Sequence, residues 1–484
     1  MSTALALRGI RKTFGALVAV DGVDLALEAG AIHALVGENG AGKSTLASIA
    51  YGTLRADAGS IECSATIGLV HQHFALIDRL SVWENIVLGR EPRRGLRLDR
   101  DAARRRVREL ADRHGLAVDP DAIVENLPVA IRQRVELLRE LARAPAVLLL
   151  DEPTAALAPV EIERFFATIT RLAAGGTAIL IVTHKLAEVI AYSRRVTVMR
   201  AGRIVARLQT SETDAGAIAR LMVGGELPEL TARQPTTPQP MLRLESLRAG
   251  AGGGHLDACS FAVDAGEIVG IAGVEGNGQA VLAAALAGVM PYEGAIVIDG
   301  RRYSSPQTPA QLTAAGIAMI PQDRGREALI ADWSIAENAI LGRQRSRTFA
   351  RAGTIDIAAA KRYAGEMIER YDVRPADPNA RCGALSGGNQ QKIVVGRALA
   401  GKPRIVVAYG PTRGIDIAAA TRVQSALLDA RNAGAAVLLI SFELDEILAI
   451  ADRVIVLHAG RIAGSVARGD LDRASIGALM TGAA

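Results

Sequence analysis

What the chain has little of sets the first limits. Aromatic residues make up 3% of its 484 positions (Phe 7, Tyr 7, Trp 2), too few for a stacking platform on single-stranded nucleic acid. Three cysteines, Cys63, Cys259 and Cys382, form no C-x-x-C pair. That excludes a zinc or disulfide framework and predicts buried apolar thiols in a reducing compartment. No apolar run reaches the roughly 18 residues of a membrane-spanning helix, and the opening residues lack the basic-then-apolar order of a secretory signal. The expectation is a soluble cytoplasmic chain.

Half of the residues are hydrophobic and 22% are charged, a balance that fills large buried cores, and the length leaves room for two or three domains. The net charge of +5 permits an anionic partner without requiring one. The densest basic run, Arg93 to Arg113, is broken by Asp99, Asp101, Glu109 and Asp112. It reads as a solvated helix face, not as a nucleic-acid patch.

Much of the chain occurs twice. Ala29-Gly30-Ala-Ile-His-Ala-Leu-Val-Gly37 recurs as Ala265-Gly266-Glu-Ile-Val-Gly-Ile-Ala-Gly273, and Glu84-Asn85-Ile-Val-Leu-Gly89-Arg90 as Glu337-Asn338-Ala-Ile-Leu-Gly342-Arg343. The run Gly175 to His184 recurs near Gly434 to Phe442. The interval between partners widens along the chain, as loop insertions in the second copy would make it. Between the copies lies the stretch richest in proline, with Pro228, Pro235, Pro238 and Pro240. The reading is two homologous domains, 1–225 and 241–484, joined by a linker over 226–240. Val147–Leu150 and Ala178–Val182 are continuous apolar runs suited to strands buried on both faces of a parallel sheet. Helical patterns such as Pro159 to Ala173 intervene, so the class is α/β.

The motifs carry chemistry. Gly37-Glu38-Asn39-Gly40-Ala41-Gly42-Lys43-Ser44-Thr45 fits G-x-x-x-x-G-K-[ST], between an apolar strand and a helical stretch. Its glycines let backbone N–H groups close around phosphate oxygens, and the helix N-terminus adds a favourable dipole. Lys43 reaches the β- and γ-phosphates, and the Ser44 hydroxyl suits Mg²⁺. The chain has only six lysines, which argues against a chance glycine-rich turn. Asp151-Glu152, closing the apolar run Val147–Leu150, supplies the complement. Asp151 holds the Mg²⁺ shell, and Glu152 orients or deprotonates the attacking water.

With these two motifs the chain resembles the ATPase subunits of ABC transporters, and Leu385-Ser386-Gly387-Gly388-Asn389-Gln390-Gln391-Lys392 is very similar to that family's signature. The duplication resembles the twin-cassette ATPases of simple-sugar and nucleoside importers. His71-Gln72-His73-Phe74-Ala-Leu76 with Glu84-Asn85-Ile86 looks closest to the nucleoside branch. The resemblance implies two tandem P-loop nucleotide-binding domains, each with a parallel-sheet core, an antiparallel β part and a helical subdomain. It implies ATP and Mg²⁺, two membrane permease subunits as separate chains and, indirectly, an extracytoplasmic substrate-binding protein, with no nucleic acid. Further roles come with it. Phe14 stacks on adenine, Gln72 contacts Mg²⁺ and the water, and His184 touches the γ-phosphate. Ser386, Gly387, Gly388 and Asn389 present a hydroxyl and N–H groups to a γ-phosphate held by the other domain.

The two copies depart from the family pattern in opposite ways. In the second, the lysine has become Gln279, the serine Ala280, the acids Tyr409-Gly410 and the histidine Phe442, and no aromatic matches Phe14. In the first, Leu127-Pro128-Val129-Ala130-Ile131 stands where the signature belongs, and Ala158 stands where the second copy keeps Asp416. In the family, domains pack head to tail, so the intact P-loop would meet the intact signature and the two degraded halves would meet each other. That makes an intrachain pseudo-dimer with one working site. The competing reading is a soluble twin-cassette ATPase acting on ribosomes or nucleic acid.

Overall fold

The apolar runs form strands because nearly every side chain in them leaves water, and the few polar ones, His33, Asp151 and Thr183, are buried with them. Ile32–Val36, Val147–Asp151 and Ala178–Thr183 are buried along their whole length. The computed structural model describes residues 2–482 apart from residues 16, 64, 72, 73, 155, 156, 158, 252, 253 and 352. The chain divides into two units, residues 1–227 and 228–484.

In the first unit a six-stranded sheet runs Ile67–Val70, Val147–Asp151, Ala178–Thr183, Ile32–Val36, Arg195–Arg200, Arg203–Gln209. It is parallel except at the last pairing. Alternate side chains enter different cores. Leu35, Leu149 and Leu180 pack with Leu46 and Ile49 of the helix Lys43–Tyr51 and with the antiparallel sheet of Thr3–Phe14, Leu17–Glu28 and Ala58–Glu62. Leu148, Leu150, Ile179 and Ile181 pack with Leu137, Leu138 and Phe166 from helices on the opposite face. Each such buried side chain contributes roughly 1.5–3 kcal/mol. The second unit repeats the order with Ile317–Ile320, Ile405–Tyr409, Ala436–Ile440, Ile268–Ala272, Arg453–His458 and Arg461–Ala467. Its antiparallel sheet contains Pro240–Ala251, Gly254–Asp264, Glu293–Ile298 and Arg301–Tyr303.

The repeated Glu-Asn pair serves the helical subdomains. Glu84 and Glu337 close capping boxes with Ser81 and Ser334. Asn85 and Asn338 are buried and accept from the backbone N–H of Ile77 and Ile330 at 2.8 and 2.9 Å. The basic run forms the helix Arg100–His114, which buries Ala103, Val107, Leu110 and Ala111 and turns most of its arginines outward. Cys259 and Cys382 are buried as expected, but Cys63 is only half-buried, because it follows the exposed edge strand Ala58–Glu62.

The proline-rich stretch has no regular secondary structure over 226–239, yet it is tied down. Asn432 Nδ2 donates to Ala232 O at 2.8 Å, Arg233 Nη2 to Ala449 O at 3.0 Å and Thr236 Oγ1 to Gly266 O at 3.2 Å, and Arg431 donates to Gln234 O. From Pro228 onward it is part of the second unit.

Candidate functional site

The three loops of interest in the first unit follow adjacent strands. Val36 lies opposite Thr183, and Asp151 lies opposite Val182. The P-loop, the acid pair and His184 therefore emerge side by side at the carboxyl edge of the sheet, where α/β folds bind ligands.

The P-loop's backbone needs its glycines. Gly40 and Gly42 have φ of 83° and 98°, and a Cβ on Gly37 or Gly42 would run into the carbonyl oxygen of Met199 or Ala19. Ala41 is buried, its N–H donating to Glu38 O at 3.0 Å; Asn39 lies at the exposed tip, and Thr45 is half-buried behind Ser44. Lys43 opens the helix and is 6% exposed. Its Nζ donates to Gly37 O at 2.7 Å and Glu38 O at 3.0 Å. Burial holds its pKa below the ordinary lysine value, against the opposing pull of Glu152, Asp151 and Glu38.

Asp151 is buried, and burial raises its carboxyl pKa although the Ser44 hydroxyl bonds to it. Among the described residues its Oδ1 has no hydrogen-bond partner. An orphaned carboxylate oxygen beside a hydroxyl is the donor set that a small hard cation takes, so these residues fit Mg²⁺. Burial also pushes Glu152 up. The hydrogen bond from His184 Nδ1 to its Oε1 (3.0 Å), with the charges of His184, Lys43 and Lys185, outweighs that, and the carboxyl ends below its ordinary value. Glu152 sits at φ 48° with its N–H on Val182 O at 2.8 Å. This left-handed conformation costs about 1 kcal/mol or more for a residue with a side chain.

Phe14 is 49% exposed at the end of its strand, with Lys12 Nζ 5.7 Å from its ring centroid. It is no core aromatic. Gln72 lies outside the described residues, as does Ala158. The loop around Gln72 is clasped by a residue that the motifs did not single out. Buried Glu136, on the helix Val129–Leu141, accepts from His71 N at 3.3 Å and Ala75 N at 3.2 Å. An acid on the inner face of that helix was its only trace in the sequence.

The second unit copies the backbone and replaces the chemistry. Gly276 and Gly278 repeat the positive φ at 93° and 106°, and the helix Gln279–Leu286 follows. Gln279 Nε2 donates to Val274 O at 3.2 Å, as Lys43 does to Glu38 O, while its Oε1 is buried without a partner. Gly410 keeps φ 53° and donates to Ile440 O at 2.7 Å, in the manner of Glu152. In place of the acid and histidine, Tyr409 and Phe442 pack edge to face with centroids 6.1 Å apart, and burial pushes the Tyr409 hydroxyl up to about 12.

The signatures differ in a complementary way. Ser386 caps the helix Gly387–Leu399, its Oγ accepting from Asn389 N at 3.4 Å and Asn389 Nδ2 at 3.0 Å. Gly388 is buried against Asp416, which caps the next helix. Pro128 caps the matching helix with no side-chain bond, and Val129 opens it. Gln133 and Gln391 make the same tie, to Pro153 O and Pro411 O, so the two helices are docked alike.

The ABC transporter family matches at residues 20–155 and again at 256–413. Over 99% of this chain and 98% of its own length, the nucleoside import ATP-binding protein NupA of Lactococcus lactis is 37% identical. The guanosine import ATP-binding protein NupO of Bacillus subtilis is 38% identical over 100% and 98%. The glucose import ATP-binding protein TsgD13 of Haloferax volcanii is 39% identical over 99% and 96%. A crystal structure of an archaeal ribosome recycling factor with a ribosomal stalk protein covers 97% of this chain and 92% of its own, with TM-score 0.68 and 18% identity, a likeness of fold. No helix among the described residues is long and apolar enough to cross a membrane. The chain belongs to the ABC transporter family: it is a twin-cassette ATPase whose full-length relatives are import ATP-binding proteins.

Proposed function

We propose that ATP held by the Lys43 loop is hydrolysed in a composite site completed by Ser386, Gly387, Gly388 and Asn389 of the second unit. The chain then powers import of a nucleoside or simple sugar through separate permease subunits, lying as a peripheral protein on the cytoplasmic face of the membrane. An extracytoplasmic binding protein delivers the substrate. The observation that carries the reading is the division of losses. Lys43, Ser44, Asp151, Glu152 and His184 remain together in the unit whose signature is Pro128-Val129-Ala130. The unit with the intact signature has Gln279, Ala280, Tyr409, Gly410 and Phe442 in their places. The substrate class rests on the import relatives.

In this site Lys43 binds the β- and γ-phosphates and Phe14 the adenine. Ionised Glu152, oriented by His184, takes the proton of the attacking water. Ser44 and Asp151, with Gln72, would hold Mg²⁺, which would neutralise the phosphate oxygens. Binding closes the two units on each other and hydrolysis reopens them, which moves the permeases.

The test is a pair of variants assayed for ATPase activity in folded full-length protein. Ser386→Arg crowds the γ-phosphate and abolishes turnover. Pro128→Ser leaves it within about twofold, since the face opposite has neither lysine nor base. Equal loss in both would mean two working sites, and loss only at Pro128 would mean that the pairing is reversed.

A further inference from the structure

The loop after the strand Ile317–Ile320 is longer than its counterpart in the first unit. Arg139 and Arg397, at matched places on the two signature helices, donate to the carbonyls of Ala75 and Ala328 and so fix the alignment. Between Gln72 and Ala75 lie two residues, His73-Phe74; between Gln322 and Ala328 lie five, Asp323 to Glu327. The extra residues make a wide helical turn over Arg324–Ala328, started by Asp323, whose Oδ1 accepts from Gly325 N and Arg326 N at 3.1 Å.

That turn lays Arg324 on the signature. Its Nε donates to Gln390 Oε1 at 3.2 Å and its Nη1 to Arg413 O at 3.2 Å. A Cβ on Gly387 would collide with Nη2. Nη2 makes no hydrogen bond among the described residues, and no carboxylate lies within ion-pair distance of the guanidinium. Arg324 is half-buried, and burial lowers its pKa below the ordinary arginine value. A cation over the N-terminus of a helix opposes the helix dipole, so the dipole is not what holds Arg324 there. In the first unit the insertion is missing and Val129 stands where the second unit has Gly387. The arginine and the glycine that admits it occur only in the copy with the intact signature.

We propose that Arg324 is a catalytic residue of the composite site, its free Nη2 pairing with the γ-phosphoryl oxygens of the ATP bound at Lys43. The inference rests on the head-to-tail reading above. The signature then offers that phosphate a side-chain cation as well as a hydroxyl and backbone N–H groups, and the cation is supplied from the loop that also carries Gln322. It stabilises charge as the phosphoryl group transfers, the work an arginine finger does in other phosphoryl-transfer enzymes.

Steady-state kinetics and vanadate trapping of ADP by the full chain decide the matter. In Arg324→Ala, kcat falls about a hundredfold while KM for MgATP stays within about threefold, and trapping is lost. Arg324→Lys keeps the charge without the fork and recovers about tenfold of that loss. Arg326→Ala, at the exposed position on the same turn, is unchanged. If Arg324→Ala keeps its turnover, or loses activity only through a raised KM for MgATP, Arg324 is not catalytic. Ser386→Arg is measured beside them. Full activity there removes the composite site itself, whereas inactivity there with a fully active Arg324→Ala removes the role of Arg324 alone.

Discussion

Glu446 is a carboxylate that works against the second unit at neutral pH. It lies in the first turn of the helix Leu444–Ile450, 5% exposed, and neither of its oxygens has a hydrogen-bond partner among the described residues. The hydroxyls of Ser441 and Thr412 face it and oppose the effect of burial without reaching hydrogen-bonding geometry. Burial, with the nearby charge of Glu443, raises its pKa from 4.5 to about 7. The folded state therefore keeps a proton that the unfolded chain gives up. Stability from this group is intact below pH 4.5, declines as pH rises toward 7, and is fully lost above that. A difference of that size is worth about 3 kcal/mol, or roughly 6–12 °C in melting temperature for a unit this large. Glu446→Gln keeps the shape and removes the ionisation. It raises the melting point of the second unit at pH 8 by several degrees and leaves it nearly unchanged at pH 4.5. The first unit offers the control, because Glu188 accepts from the Thr154 hydroxyl at 2.7 Å, and Glu188→Gln brings no comparable gain. Calorimetry at several pH values reads the shift, with hydrogen exchange of the strand Ala436–Ile440 assigning it to the second unit. A loss of stability at pH 8, or a pH dependence equal to that of the parent, would refute the reasoning.

Three further outcomes concern the nucleotide. Glu152→Gln preserves size and the contact with His184 but removes the base, so MgATP still binds while single-turnover hydrolysis falls about a hundredfold or more; near-parental hydrolysis would mean that the base lies elsewhere. Lys43→Ala removes a charge-assisted phosphate contact worth about 1.5–3 kcal/mol and weakens binding itself by roughly tenfold to a hundredfold, measured by calorimetry. In the same titrations the parent chain saturates near one tightly held MgATP, and two of equal affinity would contradict the asymmetric assignment.

The sequence by itself determined the elements whose causes are local. Val147–Leu150 and Ala178–Val182 read as strands because continuous apolar runs this short, closed by polar turns, suit a sheet covered on both faces. The P-loop turns are read from glycines that must take positive φ. The duplication, the opposite losses in the two copies and the solvated arginine face of Arg100–His114 are likewise written in residue order.

Tertiary structure decided whatever depends on which distant groups meet. Proline content marks a linker over 226–240, and the tertiary structure adds that from Pro228 onward the backbone carbonyls of Ala232 and Gln234 find fixed partners in Asn432 and Arg431. Cys63 escapes burial because the strand before it is an exposed edge. Glu152 and Gly410 share one backbone conformation, so the second copy could lose the acid without moving the chain. Arg324 reaches Gly387 only because the insertion curls back across the signature helix. Local propensity reports the shape each segment prefers. It carries no information about desolvation or about charges contributed from elsewhere in the chain, and those are what set the protonation of Glu152 and Glu446 and the place of Arg324.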